Sequence, residues 1–295
     1  MKRYEAYPVL SRRFILGEGP CYDLAHGVLS WVDIKMGTLF QLDAEMNLRE
    51  TQVGQYLGAA IPTMQGHYVA LMTTGVYLMN DTELLRKIYA PEGLLLHQRF
   101  NDAKCDPKGR LWAGTMSLFP GKPWEGKLYR FIGTKSQTIA LTDMGTPNGM
   151  AWSADGKTMY FIDTATRSVD AFDYNPELGN ITRRRQIIRL EEGFPDGMTI
   201  DAEGMLWVAV WGTGEVRRYD PRSGQCLSSI CVPAPNVTSC CFGGIDLQTL
   251  YITTSAEHME NVPLAGCVFA VKCDVQGTET VKFNEELNPE GGVDP

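Results

Sequence analysis

The 295-residue sequence lacks the features that mark several common classes of protein. No run of lysines and arginines forms a basic face and the formal charge is −8, so neither nucleic acid nor an anionic membrane surface is an expected partner. No stretch approaches the ~18 continuous apolar residues of a membrane-spanning helix. The segment MKRYEAYPVLSRRFILGEGP also lacks the apolar core and the cleavage site of a signal peptide. We therefore expect a cytoplasmic protein.

The usual catalytic and cofactor motifs are also missing. The eight cysteines include no CxxC pair and no Cys/His cluster with zinc spacing, and we interpret them as free thiols in a reducing cytoplasm. Neither the G-x-S-x-G elbow of serine hydrolases nor a G-x-G-x-x-G dinucleotide motif occurs. The four histidines are scattered, and His258 is best explained as an exposed or core residue. Any chemistry must therefore come from other side chains.

One pattern recurs along the chain. Each copy has a polar residue, a short apolar strand, an Asp/Ser-x-x-Gly turn and a second strand led by a large aromatic residue. Three clear copies begin at Asn101, Asn148 and Asp196, and a degenerate copy fits at 67–80. From Trp112 onward, the leading aromatic residues of successive copies lie 48, 47 and 44 residues apart. The aromatic residues that define the period are Trp31, Trp112, Tyr160, Trp207 and Tyr251.

The period and the local pattern predict an all-β fold. Alternating apolar and polar residues separated by turn residues indicate short strands, and no convincing amphipathic helix occurs. Repeats of ~40–50 residues with about four strands each are typical of a β-propeller. We predict one six-bladed β-propeller domain over residues 1–295, with 281–295 as a frayed tail. A pair of β-sandwiches is the alternative, but it does not explain the constant period.

A ring of polar residues follows from the propeller geometry, because the innermost strand of each blade lines a central channel. Asn101, Asn148 and Asp196 share one repeat offset, 47 and 48 residues apart, and Glu18 precedes Trp31 at a similar distance. Asn148 and Asp196 are also explained as turn residues when each is taken alone. Two carboxylates and one amide oxygen form a hard, oxygen-only set that suits Ca²⁺, Mg²⁺ or Mn²⁺ and also accepts Zn²⁺. Because buried carboxylates are costly without a cation, we predict one divalent metal ion.

Six motifs, in order, identify the chain with a known family. They are LGEGP (16–20), RFND (99–102), GRLWAGTM (109–116), PNG (147–149), FPDGM (194–198) and CFGG (241–244). Together they resemble the senescence-marker-protein/gluconolactonase family, the regucalcin-like sugar lactonases, from about residue 14 to about residue 273. Two more segments, APNVTS (234–239) and PLAGCVF (263–269), look closer to the bacterial aldonolactonases than to the animal calcium-regulatory members.

The resemblance implies a six-bladed propeller with one divalent metal in its channel. It assigns the metal to Glu18, Asn148 and Asp196. It also assigns contacts with the sugar hydroxyls and with the ring or carbonyl oxygen to Arg99 and Asn101. Ca²⁺ or Zn²⁺ is expected ahead of Mg²⁺ or Mn²⁺.

The segment SLFPGKPWEG (117–126) departs from the pattern of the animal members. Those proteins place a substrate-facing glutamate directly after Gly-Thr-Met, whereas the first acid here is Glu125. Glu125 is therefore a candidate substrate contact or a solvated hairpin residue. Phe119 and Trp124 lie in the same Pro/Gly-rich insertion and are candidates for a lid over the channel mouth.

These observations predict a hydrolase that opens a sugar lactone to the aldonic acid. The metal would act as a Lewis acid on the lactone carbonyl. Asp196 is the candidate general base, or it only positions the attacking water, since a carboxylate bound to a dication is a weak base. Two alternatives remain open. One is a metal-dependent phosphotriesterase-like hydrolase, and the other is a non-enzymatic calcium-binding or interaction propeller.

Overall fold

The computed structural model describes residues 2–91, 93–119 and 122–289. Within these ranges the chain forms 25 β-strands and a single 3₁₀ turn, Thr164–Thr166. No helix of the described ranges has the length and the apolar character needed to cross a membrane. The prediction of an all-β fold is therefore confirmed.

The described residues form six sheets, which we call blades 1 to 6 in the order in which the chain enters them. Two short strands precede blade 1: β1 (Lys2–Glu5) and β2 (Tyr7–Pro8). Blade 1 contains β3 (Gly17–Asp23), β4 (Val28–Asp33), β5 (Thr38–Leu42) and β6 (Leu48–Gln52). Blade 2 contains β7 (Leu57–Pro62), β8 (Tyr68–Met72), β9 (Gly75–Met79) and β10 (Leu84–Tyr89). Blade 3 contains β11 (Gln98–Cys105), β12 (Leu111–Ser117), β13 (Gly126–Ile132) and β14 (Ser136–Met144).

The second half of the chain repeats this arrangement. Blade 4 contains β15 (Pro147–Trp152), β16 (Thr158–Asp163), β17 (Ser168–Asn175) and β18 (Asn180–Arg189). Blade 5 contains β19 (Phe194–Ile200), β20 (Leu206–Trp211), β21 (Glu215–Tyr219) and β22 (Cys226–Cys231). Blade 6 contains β23 (Val237–Gly243), β24 (Thr249–Thr254) and β25 (Phe269–Lys272).

The blades form a closed ring. The first strand of each blade contacts the first strands of its two neighbours, in the order β3, β7, β11, β15, β19, β23 and back to β3. These six strands therefore line the central channel, as the repeat predicts, and the fold is a six-bladed β-propeller. The aromatic residues that define the period all lie in second strands, namely β4, β12, β16, β20 and β24. Trp31, Trp112 and Trp207 among them are at most 1% exposed and fill the space between blades.

The amino-terminal strands complete the last two blades. β2 pairs antiparallel with β25, with Tyr7 opposite Ala270, and so supplies the outermost strand of blade 6. β1 pairs parallel with β22 at the outer edge of blade 5. Because strands from both halves of the chain share these sheets, the ring is closed by backbone hydrogen bonds rather than by side chains alone.

The carboxyl-terminal segment corrects one prediction. We expected 281–295 to be frayed, but the described part, residues 281–289, packs across the end of the propeller. Phe283 is fully buried, its N–H donates to Pro62 O at 2.9 Å, and its carbonyl accepts from Met64 N at 2.9 Å. A single buried aromatic side chain anchors a segment whose acidic, Pro/Gly-containing composition suggested disorder. Residues 290–295 of that prediction lie outside the described residues.

Every innermost strand is interrupted by a β-bulge at the same height. The register shifts lie between Glu18 and Cys21, Leu57 and Ala59, Phe100 and Ala103, Pro147 and Met150, Pro195 and Met198, and Val237 and Ser239. A bulge leaves residues unpaired and redirects their side chains. The glycines beside them allow close approach of neighbouring strands, since a Cβ at Gly149 would lie 2.7 Å from Met198 N. The bulges therefore determine which side chains point into the channel.

Candidate active site

Four of the predicted site residues lie at these bulges and face the same channel. Glu18, Asn101, Asn148 and Asp196 come from blades 1, 3, 4 and 5 and are only 6%, 6%, 3% and 7% exposed. Polar side chains of this kind are rarely buried unless they are bonded to one another or to a ligand. The repeat phase thus brings together residues that are up to 178 positions apart in the chain (196 − 18 = 178).

A chain of hydrogen bonds links three neighbouring blades at this level. Arg99 Nη1 donates to Asn101 Oδ1 at 2.7 Å, and Asn101 Nδ2 donates to Asn148 Oδ1 at 2.9 Å. Asn148 Nδ2 donates to Thr164 Oγ1 at 2.7 Å, and that hydroxyl donates to Pro195 O at 2.7 Å. The amide of Asn148 is therefore held in one orientation. Its carbonyl oxygen keeps a second lone pair for another partner.

The carboxylates, in contrast, have few partners. Glu18 Oε2 accepts one hydrogen bond, from Gly19 N at 2.9 Å. Within the described residues the Asp196 carboxylate has no hydrogen-bond or ion-pair partner. Burial raises the pKa of Glu18 to about 8, and the negative charge of Asp102 acts in the same direction. Burial also raises the pKa of Asp196 well above its ordinary value, reinforced by the charges of Glu18 and Asp102.

Asp102 is a site residue that the sequence reasoning missed. It is 8% exposed, lies in the same bulge as Asn101, and accepts a hydrogen bond from Ala103 N at 2.7 Å. Burial raises its pKa, while the positive charge of Lys104 acts to lower it. The motif RFND contains Asp102, but the repeat offset selects only Asn101. Asp102 can be recognised as a second channel-facing residue only once the bulge in β11 is known.

Arg99 is a buried cation without a direct counterion among the described residues. Its Nη1 donates to Phe100 O at 2.9 Å and to Asn101, and no carboxylate lies within ion-pair distance in the described ranges. Burial lowers the pKa of Arg99, and the negative charges of Glu18 and Glu257 act in the opposite direction. A guanidinium has five N–H donors, so several remain for a ligand oxygen.

Glu125 stands apart from this group. Its carboxylate contacts His97 Nε2 and lies 3.2 Å from Lys122 Nζ, and the hydrogen bond with His97 lowers the pKa of Glu125. Phe119 and Trp124 in the same insertion are 58% and 48% exposed, and the Phe119 ring lies 5.3 Å from that of His97. The part of the lid prediction that concerns Pro120 and Gly121 lies outside the described residues. A role for this insertion in binding stays a prediction.

Other nucleophiles and bases offer little chemistry. Burial raises the pKa of Cys21 and of Cys240 to about 12, so their thiols are poor nucleophiles near neutral pH. His258 is exposed and has a positive φ of 57°, as expected for a turn residue. The polar group in the channel is therefore the best candidate for an active site.

The donor set of the channel fits a divalent cation. Carboxylate and amide oxygens are the hard ligands that Ca²⁺ and Mg²⁺ prefer. Within the described ranges no three His, Cys, Asp or Glu side chains converge as a metal site, and the candidate donor set here combines two carboxylates with the amide oxygen of Asn148. Burial is the main cause of the raised pKa values of Glu18 and Asp196, and the positive charge of Arg99 offsets it only in part. A dication would balance the negative charge of the two carboxylates.

The chain matches a known protein family over most of its length. Residues 16–256 match the SMP-30/Gluconolactonase/LRE-like region. The Bacillus subtilis protein named "Putative sugar lactone lactonase YvrE" is 38% identical over 280 residues, which cover 92% of this chain and 96% of that protein. Regucalcin of Danio rerio is 35% identical over 275 residues, 89% of this chain and 92% of that protein.

Solved structures lead to the same family. The calcium-binding protein regucalcin of Agrobacterium tumefaciens superposes with a TM-score of 0.89 at 26% identity, over 96% of this chain and 99% of that chain. A luciferin-regenerating enzyme superposes with a TM-score of 0.89 at 29% identity, over 95% and 99% of the two chains. The chain belongs to the SMP-30/gluconolactonase/LRE-like family.

Proposed function

We propose that this protein hydrolyses a sugar lactone to its aldonic acid with one divalent cation, Ca²⁺ or Zn²⁺ ahead of Mg²⁺ or Mn²⁺. The observation that supports this most is the pair of buried carboxylates, Glu18 and Asp196, beside the fixed amide of Asn148. Burying carboxyl groups that have few or no partners costs stability, so a fold that keeps two of them has a use for them. Membership of a family that contains gluconolactonases indicates what that use is.

Glu18, Asn148 and Asp196 would hold the cation, which when bound supplies a Lewis acid for the lactone carbonyl and for the charge that develops on its oxygen. All three are buried, so they form a site with little competing water. The hydrogen bond from Asn101 orients the amide of Asn148 before any ligand arrives. Such preorganisation reduces the entropy lost when the site is filled.

Arg99 and Asn101 would position the sugar. The N–H groups of Arg99 that have no partner in the described residues can donate to the ring or carbonyl oxygen of the lactone. Asn101 Oδ1 fixes the guanidinium by accepting a 2.7 Å hydrogen bond from Arg99, and its second lone pair is available to a sugar hydroxyl. Both N–H groups of Asn101 Nδ2 already donate, to Pro147 O and to Asn148 Oδ1. Glu125 at the mouth is a further candidate for a hydroxyl contact. These residues bind and orient the lactone rather than break bonds.

Asp196 would act on the attacking water. The water oxygen adds to the carbonyl carbon, its proton is taken up by a base, and the ring C–O bond breaks as the ring oxygen is protonated. Asp196 is our candidate for that base. Because cation binding lowers the basicity of a carboxylate, the alternative role for Asp196 is to orient the water without accepting its proton.

A proton-release assay tests the proposal. Chelator-treated protein would be assayed with a pH indicator on five- and six-carbon aldonolactones, before and after the return of each cation, with an organophosphate triester as a comparison substrate. We expect acid release above the spontaneous rate with at least one aldonolactone, and only when cation is present. No cation-dependent acid release from any lactone would exclude the lactonase. Release from the triester alone would favour a phosphotriesterase instead.

Two further elements belong to the proposal. We treat residues 1–295 as one domain, because strands from both halves of the chain share blades 5 and 6. We also place the protein in a reducing cytoplasm, since its buried cysteines are free thiols. They are Cys21, Cys105, Cys240, Cys241, Cys267 and Cys273.

A further inference from the structure

We propose that Asp102 and Lys104, which we call the lower pair, set the cation affinity of the channel in opposite directions. Asp102 strengthens the binding of a divalent cation by Glu18, Asn148 and Asp196, and Lys104 weakens it. This inference rests on the cation site of the proposed function. It adds two residues to which neither the repeat phase nor the family resemblance assigned a role.

The lower pair lies in the channel close to the candidate ligands. Asp102 lies in the bulge of β11 and Lys104 two positions further along the strand, and both residues line the channel. With Gly19 and Thr199 they line a cavity of about 230 Å³ in the channel. Gly19 is the neighbour of Glu18 in sequence. The cavity wall therefore joins the lower pair to the level of the ligands.

Lys104 also reaches the strand that carries Asp196. Its Nζ donates to Met198 O at 2.6 Å, which connects blade 3 to blade 5 across the channel. Met198 is two residues beyond Asp196 on β19. The ammonium is thereby held near a predicted ligand without bonding to it. A positive charge at this position repels a divalent cation that enters the channel.

Neither member of the lower pair is neutralised by direct contact in the described residues. The Asp102 carboxylate accepts a hydrogen bond from a backbone N–H, and Lys104 donates to a backbone carbonyl. No ion pair within 4.0 Å involves either side chain in the described ranges. The negative charge of Asp102 acts through space on Glu18 and Asp196, and the positive charge of Lys104 acts on Asp102 and offsets part of its effect. Such charges interact strongly where water is largely excluded.

The alternative is a purely structural role, with Lys104 as a strut between blades. The two explanations predict opposite changes in the cation affinity of Lys104→Met. If charge governs, Asp102→Asn weakens cation binding yet stabilises the cation-free protein, because it removes one of several repelling carboxylates. Lys104→Met then tightens cation binding yet destabilises the cation-free protein. If Lys104 is only a structural link, Lys104→Met lowers both the affinity for the cation and the stability of the cation-free protein.

The test is titration calorimetry with CaCl₂, and with MnCl₂ in parallel, on the full chelator-treated chain. Thermal unfolding in excess chelator is measured on the same samples. We expect the Kd for Ca²⁺ to rise about tenfold in Asp102→Asn and to fall severalfold in Lys104→Met. The surface ion pair of Asp246 and Lys272 supplies matched controls, since both side chains are about half exposed. Asp246→Asn and Lys272→Met are expected to leave the Kd within twofold.

The outcomes separate this inference from the function on which it rests. A wild-type chain that binds no divalent cation overturns both the lower pair and the cation site. Wild-type binding with an unchanged Kd in Asp102→Asn overturns the lower pair alone. Weaker binding in Lys104→Met overturns it as well and assigns Lys104 to structure. If Asp102→Asn does not fold, the sign of the change in Lys104→Met still decides.

Discussion

Two buried aspartates, four residues apart in blade 3, have opposite surroundings. Asp106, in the turn after β11, is fully buried and accepts hydrogen bonds from Arg110 Nε at 2.7 Å, Trp112 Nε1 at 3.0 Å and Tyr174 OH at 2.6 Å. Asp102, in the channel, accepts one hydrogen bond from the next backbone N–H. An aspartate thus has several hydrogen-bond donors around it at the blade turn but only one in the channel.

Blade 5 repeats the contrast. Asp201, in the turn after β19, accepts from Met205 N at 2.9 Å, Trp207 Nε1 at 2.9 Å and Arg218 Nε at 2.7 Å. The Asp196 carboxylate, five residues earlier, has no such partner in the described residues. A turn carboxylate that is fully bonded stabilises its blade, whereas an unpaired one costs stability. We infer that the turn aspartates serve the fold and that the channel aspartates serve the chemistry.

The largest expected effect comes from the channel. Asp196→Asn removes a charge from the cation site and a candidate base, so we expect kcat/KM for the best aldonolactone to fall by about 10²–10⁴. The free energy of unfolding in chelator should stay level or rise. Steady-state assays with saturating cation, together with urea unfolding, measure both. Full activity in this variant with normal cation binding would remove Asp196 as the base.

The matched change in a turn should have the reverse effect. Asp106→Asn leaves the Arg110 guanidinium buried without its counterion, and breaking such a pair costs about 3–5 kcal/mol of stability. The folded fraction should keep its kcat/KM. Urea unfolding at one cation concentration gives the difference from wild type. If Asp106→Asn costs less stability than Asp102→Asn, the distinction between turn and channel fails.

The pH dependence of stability is expected to be smaller but of clear sign. The pKa of Glu18 is raised from 4.5 to about 8 in the folded protein, so the cation-free fold binds this proton more tightly than the unfolded chain. The contribution of Glu18 to the free energy of unfolding is therefore complete below about pH 4.5. It is lost, by a few kcal/mol, as the pH rises to about 8. Saturating cation should flatten this slope. A slope that cation does not change would show that the channel carboxylates are not its source.

The smallest effect is expected at the mouth. Glu125→Gln keeps the size of the side chain and loses only its charge, so KM should rise severalfold at most, about the value of one hydrogen bond. The kcat and the affinity for cation should not change. An affinity for cation that falls along with kcat would place Glu125 inside the site. Phe119 provides a control, since Phe119→Leu alters the same insertion without a charge.

The architecture could be predicted because it repeats. The aromatic period locates the second strand of five blades, and blade 2 follows from the spacing of the others. The tail could not be predicted in the same way, since Phe283 has no counterpart in the repeat and its burial depends on the finished ring. Composition described residues 281–289 as polar, but one aromatic contact decided their position.

The convergence of polar residues on the channel could be predicted in part for the same reason. Glu18, Asn148 and Asp196 occupy similar positions in the repeat. Because the innermost strands surround one channel, side chains at such positions point toward it. Asp102 escaped because a bulge adds a channel-facing residue that no periodicity contains. Lys104 escaped because its partner is a backbone carbonyl of blade 5, a contact that exists only across the closed ring.

A crystal structure of the protein grown with Mn²⁺ tests the central claim most directly, because anomalous scattering identifies the ion. We expect one ion in the channel with oxygens of Glu18, Asn148 and Asp196 at the ~2.0–2.6 Å found for hard divalent cations. The carboxylates of Asp106 and Asp201 should remain bonded to their arginines. An ion bound elsewhere, with only water at the channel carboxylates, would contradict the claim.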